Sequence, residues 1–514
     1  MRRRARALAL LVAALSLAPA GGAAQIAVTN LLDVQNGNVP FSEPSDRVDL
    51  YNRLDLDYRF ASGQAGLRFE TNRNSEDELT YAEITHRYAE WSDGGLGARV
   101  GNLYTILGRG LVHRSFELPG VVLEQVGLRS RYSPSRDVDG AFAEGRWRLG
   151  SLRLLAGRPN SGEFSPAGEE AGFVRYSGFL TGGQAVLTPV RQAKIGATYS
   201  RLSDGGSVLH EAGSGFVEFD PLRIAGARGV SAPLYLEYAR REASFSDWWR
   251  FETDDGTGHA LYLAGNFLWG PLGLSAEWKD YADFRLGTND PPSLVREHAP
   301  ALLNRNTHVL NAGLEEGHQI EASLAFPRWG SAIVNWSRSD GRFASGPVRF
   351  EERYAELHTP PRAGAHWEAS AFFAEGEDEF VGIDERDLYG AAATVIFAKG
   401  YSVTLDAQRQ EATRLGQDFD DTYLGLTLAR SEWGSAGAVW ERTNDPEQED
   451  PEKADDAAID PRHFFGAIFQ VRLTERHEAS LFYGERRGGR ACTAGTCYEV
   501  LPFKGAELRL MTAF

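Results

Sequence analysis

Three basic side chains stand close together in RVGNLYTILGRGLVHRSFELPG, residues 99–120: Arg109, His113 and Arg114, with Glu117 just beyond. Gly108-Arg109-Gly110 interrupts an otherwise strand-like pattern. Glycines at such a point permit a bend or the close approach of another backbone. Two readings follow. The segment turns inward and offers its cations to an anionic solute, or it is a kinked strand whose arginines pair with nearby carboxylates. A second charged group lies in VDLYNRLDLDYRF, residues 48–60. Arg53, Asp55, Asp57 and Arg59 fall on one face of a period-2 pattern, with Asp49. Val48, Leu50, Leu54, Leu56, Tyr58 and Phe60 fall on the other. A helix would mix these sets, so the segment is a strand with one charged side. Arg68 and Glu70 continue the charged set in the next segment.

Catalytic signatures are missing. The chain has 11 His but no G-x-S-x-G elbow, no H-E-x-x-H and no phosphate or dinucleotide loop in strand–helix context. His210-Glu211 and His298 fall in or near predicted outer loops, where lone histidines are ordinary polar surface. The expectation is a protein that is not an enzyme and that takes no cofactor and no metal. Cys492 and Cys497 are the two cysteines. Their spacing suits a disulfide closing a small loop; half of a metal site is the alternative, but no nearby His or Cys completes it.

The elements that must carry these residues are short, alternating and separated by turns. Residues 1–24, MRRRARALALLVAALSLAPAGGAA, read as a secretory signal peptide: a basic start, an apolar run too short to span a membrane, then small residues. Residues 25–514 are then the mature domain. No later stretch is long and apolar enough for a membrane helix. The formal charge is −17, and it becomes −21 once the four signal-peptide arginines are removed (50 basic, 71 acidic). That balance argues against nucleic acid as a partner. Much of the acidity sits in NDPEQEDPEKADD, 444–456, which reads as a solvated loop.

The chain ends on FKGAELRLMTAF. Leu508, Leu510 and Thr512 share a face with the terminal Phe514, while Glu507 and Arg509 share the other. One face suits lipid and the other water. A final aromatic of this kind suits an assembly signal read by the barrel assembly machinery. Trp91, Trp147, Trp269, Trp329 and Trp433 each precede a Gly-containing turn. Trp rings favour a membrane interface, so these turns read as a girdle at one rim, or as hairpins that merely use aromatics. Counting strands backward from Phe514 puts the Trp turns and the terminus at one rim and the long loops, including 284–317, at the other. Segment 284–317 therefore reads as one long outer loop able to fold into the lumen. About 26 segments look strand-like, among them 107–117, 121–132 and 216–228.

The stretches GNLYTILGRGLVHR (101–114), HAPALLNRNTHVL (298–310) and GERRGGRAC with CYEVLPFKGAELRLMTAF (484–492 and 497–514) resemble an uncharacterised family of large outer-membrane barrels from Gram-negative bacteria. That resemblance implies location and fold, not substrate. The expected fold is all-β: a transmembrane antiparallel β-barrel of roughly 22–26 strands, with short periplasmic turns and long extracellular loops. Its expected surroundings are outer-membrane lipid and lipopolysaccharide. Its expected role is passage of small solutes, with surface binding through the long loops as the alternative and a rim hydrolase third.

Overall fold

The computed structural model describes residues 25–40, 47–75, 80–124, 130–160, 175–242, 257–294, 296–309, 313–326, 329–343, 346–359, 366–397, 400–446, 461–493 and 496–514. The signal-peptide reading (1–24), the loop 244–256 and most of the acidic run lie outside these residues. A single antiparallel sheet holds 24 long strands, closed on itself. Closure pairs the first strand, Gln25–Asn38, with the last, Phe503–Ala513, in register from Thr29↔Ala513 to Asn38↔Lys504. Every other long strand pairs with its neighbours in sequence, so no edge is left open. This is a transmembrane antiparallel β-barrel.

The period-2 alternation sorts side chains in and out. Outward positions include Leu154, Ile195, Leu236, Val334, Leu405, Leu426 and Leu508, all large, apolar and exposed. Inward positions along Leu234–Arg241 are Tyr235, Glu237, Ala239 and Arg241, all buried. A water-soluble protein would bury the first set. Here the apolar set faces out, which is stable only in lipid.

Antiparallel order places Trp91, Trp147, Trp269, Trp329 and Trp433 at the same end of the barrel as Phe514, and all six are exposed. The connections there are mostly short, such as 94–95, 148–149, 270–271 and 475–476. A longer connection follows Ser207–Phe219 and carries a short helix, Pro221–Ile224, capped by Asp220. The sequence pattern of 216–228 as one strand is corrected here, because Pro221 cannot donate to a ladder and starts a helical turn instead. Long connections gather at the opposite end.

Two further sequence-based strands are not in the wall. Among the described residues, 107–117 and 121–132 form only two-residue β-pieces between the wall strands Leu96–Leu103 and Val138–Trp147. These two wall strands pair directly with each other, so the described residues between 104 and 137 are squeezed out of the sheet and into the lumen. Residues 283–309 also turn inward and carry a second short helix, Ala301–Arg305.

Candidate functional site: a lumen filled by two inward segments

Residues 104–137 enter at the long-loop end. Gly108 and Gly110 have φ of +59° and +91°, a backbone that glycine adopts at little cost. A Cβ on Gly108 would collide with the Glu237 carboxylate of the wall. The glycine pair therefore brings the backbone against that carboxylate, and the Arg109 N–H donates to it at 3.0 Å. Ser214 (2.6 Å) and Tyr235 (2.5 Å) donate to the same group. A buried carboxylate with three donors is satisfied without a metal or a base partner. The Arg109 guanidinium stays exposed, 4.9 Å from the centre of the Tyr235 ring.

His113 is buried, and Arg114 turns to Asp290 of the second segment at 2.6 Å. Burial, with His210 and Arg136 nearby, holds His113 down at about 3, so its ring is neutral. Burial raises the Asp290 carboxyl, and the Arg114 and Arg136 charges oppose that rise. Asn289 donates to Leu111 O at 2.9 Å, and Arg136 donates to Asn289 O at 3.1 Å. The two segments thus hold each other. Of the three basic residues picked out together in the sequence, only Arg109 presents its charge to the lumen.

The charged face of 48–60 does point inward; Arg59 near its end is exposed, while Arg53 and Asp55 are neutralised in place. Arg53 pairs with Asp55 at 3.0 Å. Arg68 bridges Asp55 and Glu117, each at 2.6 Å. Asp57 accepts from Tyr88 at 2.8 Å. Glu70 accepts from Tyr51 (2.8 Å), Thr85 (2.7 Å) and the Ser133 backbone (3.1 Å). Arg131 grips Asp33 with two bonds, 2.8 and 3.1 Å, and Arg509 reaches the same carboxylate at 2.9 Å. Bidentate pairing of this kind sets geometry as well as charge. These arginines and carboxylates seat the 104–137 segment on the wall.

Residues 283–309 seat on the opposite wall. Leu302 and Leu303 pack on Tyr354, Ala374 and Leu388. Arg305 binds Glu441 with two bonds, 2.6 and 2.8 Å. His298 meets Glu352 at 2.7 Å, and Arg386 meets the other oxygen at 2.6 Å. His308 lies between Asp378 (3.3 Å) and Glu315 (3.2 Å), stacked on Phe350, while Lys279 binds Glu315 and Ser293 O. The earlier placement of His298 and His210 on outer loops is corrected: His298 is buried in the lumen, and His210 is a buried lumen-facing residue of the strand Ser207–Phe219.

Cys492 and Cys497 form a disulfide that closes the small hairpin 489–500. This hairpin lies over the second segment. The Cys492 N–H donates to Asn304 Oδ1 at 3.1 Å, and Arg490 donates to Thr307 O at 3.0 Å. Sequence reasoning missed this docking, and also Glu237, Glu352, Glu441 and Asp378 as wall anchors. Their signal was a carboxylate at an inward position of a strand, visible only once the strands were in register.

A closed wall, an apolar exterior and a polar, occupied interior define a membrane-spanning β-barrel with a restricted lumen. Residues 10–150 match a family of unknown function (DUF6029). No curated protein matches the chain. Among solved structures, OccK5 (OpdH) of Pseudomonas aeruginosa is 13% identical, covering 74% of this chain and 98% of its own, with a TM-score of 0.41. The P pilus usher (PapC) translocation pore is 9% identical, covering 95% and 99%, with a TM-score of 0.45. A BenF-like porin from Pseudomonas fluorescens Pf-5 is 10% identical, covering 72% and 97%, with a TM-score of 0.41. The barrel assignment rests on this chain's own strand pairing.

Proposed function

We propose that the protein is a bacterial outer-membrane channel for small solutes, narrowed by residues 104–137 and 283–309. The observation that carries this reading is a closed barrel whose lumen-facing wall grips two inward segments through ion pairs. A purely structural barrel has no use for so many matched charges inside. In this reading the route passes the exposed Arg109, while His113 and Arg114 position the segment. The Trp turns and Phe514 mark the periplasmic rim, and lipid and lipopolysaccharide surround the outward face. The barrel assembly machinery inserts the chain after removal of residues 1–24. Selection comes from lumen width and charge, without bond chemistry.

The test is single-channel conductance of the refolded chain in a planar bilayer, beside a variant lacking residues 291–306. The expected result is a small, steady conductance in the full chain and a several-fold larger one in the variant. Two folded but silent barrels would overturn the channel reading. They would favour the second reading, a surface scaffold, for which the disulfide hairpin docked on the second segment is the supporting observation.

A further inference from the structure

Between the helix Ala301–Arg305 and the Phe514 rim, the lumen wall breaks its own pattern. Lumen-facing positions of a barrel are expected to be polar. On the four neighbouring strands from Gln417–Arg430 to His477–Arg486, five of them are Tyr423, Val439, Phe464, Ile468 and Phe482, which line one groove. Ile468 is 37% exposed although it points into the barrel.

The groove is cut by missing side chains. Gly437 pairs with Ile468, and Gly466 pairs with Val439. A Cβ on Gly466 would stand 2.6 Å from the Phe482 ring, so only glycine lets that ring lie flat on the wall. The resulting space holds about 300 Å³. Exposed apolar surface of this kind in a water-filled passage is unfavourable until something covers it.

The charges around the groove choose the sign of the occupant. Arg486 sits on the Phe482 and Phe503 rings and reaches Glu507 at 3.0 Å, while Arg509 joins Asp33 and Glu507 from the other side. The guanidinium side chains remain 33% and 30% exposed, whereas Glu507, Asp33 and Glu441 are 10%, 0% and 8% exposed. A third lining carboxylate, Glu485, is 20% exposed and is held by Arg462 and Lys504. The two guanidiniums are the most exposed charged groups of the lining. Counting lining groups and their ion-pair partners, five cations (Arg305, Arg462, Arg486, Lys504, Arg509) stand with four carboxylates (Asp33, Glu441, Glu485, Glu507); one shell further out, Arg131 on Asp33 adds a cation and Asp406 beside Tyr423 a carboxylate.

We infer that this groove is a binding subsite for organic anions with an apolar body, such as an arylalkyl carboxylate. The body lies on Ile468, Val439 and Phe482, and the carboxylate meets the open edges of Arg486 and Arg509. The inference rests on the channel reading, because the groove opens to the passage on the Phe514 side of the second inward segment.

The probes are 3-phenylpropanoate, 3-phenylpropanol and acetate, titrated calorimetrically into the refolded full chain. The expected result is saturable binding of 3-phenylpropanoate, at least about tenfold tighter than either of the others. Ile468→Asn, which leaves every ion pair in place, should weaken it about tenfold, and Arg486→Gln should erase the preference over the alcohol. Equal affinity for the alcohol, or binding unchanged in Ile468→Asn, overturns the subsite. Conductance measured on the same preparation separates the two claims. A conducting barrel that does not bind 3-phenylpropanoate loses the subsite and keeps the channel, whereas a silent barrel that binds it with Ile468-dependent affinity keeps the subsite and loses the channel.

Discussion

Gly108 shows how one residue places a whole segment. Its φ of +59° and the adjoining Glu237 carboxylate both exclude a side chain. The left-handed backbone alone costs a non-glycine residue about 1–2 kcal/mol. Gly108→Ala should therefore release residues 104–117 without opening the barrel, read as faster amide hydrogen exchange confined to that stretch. Unchanged exchange would show that the contact with Glu237 is dispensable. His113 makes a second prediction. Its pKa falls from about 6.5 in an unfolded chain to about 3 in place. Between those values the released segment binds the extra proton, so local stability falls as pH falls through that window. Exchange of 104–117 should rise on acidification toward pH 3, and His113→Asn should flatten the response.

At the scale of the element, the second inward segment has the opposite pH sense. Burial alone would lower His308, but its bonds to Asp378 and Glu315 outweigh burial and raise it. With Lys279 present, a protonated His308 makes the four-residue cluster neutral. Its contribution is fully present below the unfolded value of about 6.5 and is lost as pH rises through the raised folded value. Alkaline conditions should therefore loosen residues 298–308 and increase open-channel noise, and His308→Gln should remove that pH dependence. Arg305→Ala tests the same element without titration. It strands Glu441 and should raise conductance, because removing one partner of a buried pair leaves an unsatisfied charge worth about 3–5 kcal/mol. Glu441 has no second cation within its ion-pair contacts among the described residues.

At the scale of the molecule, the barrel depends on its seam. Ten residues of Gln25–Asn38 pair with Phe503–Ala513, and Phe514 adds a backbone bond to Val28 at 2.9 Å. The exposed terminal ring also meets His477 edge-on. Deleting Phe514 should lower the yield of membrane-inserted barrel, measured by heat-modifiable migration on a gel, while leaving strand pairing elsewhere intact. Normal insertion would show that the terminal aromatic carries no assembly signal. The first inward segment braces the same seam from inside, since its Arg131 grips Asp33 on one seam strand, where Arg509 of the other seam strand joins it.

The sequence by itself determined the wall. A period-2 pattern such as 48–60 or 503–514 is local, so most wall strands and their two faces could be read without tertiary contacts, with 107–117, 121–132 and 216–228 as the exceptions. The disulfide and the tight approach at Gly108-Arg109-Gly110 were legible for the same reason. Only the tertiary structure decided which charges remain available. Asp55, Arg68 and Arg114 look like a filter in one dimension, yet each meets its partner on another strand or segment. Ile468, Phe482, Arg486 and Arg509 carry no mark in the linear pattern and converge only when strand register stacks them. Register and inward folding depend on contacts between residues far apart in the chain. Short-range periodicity does not encode such contacts.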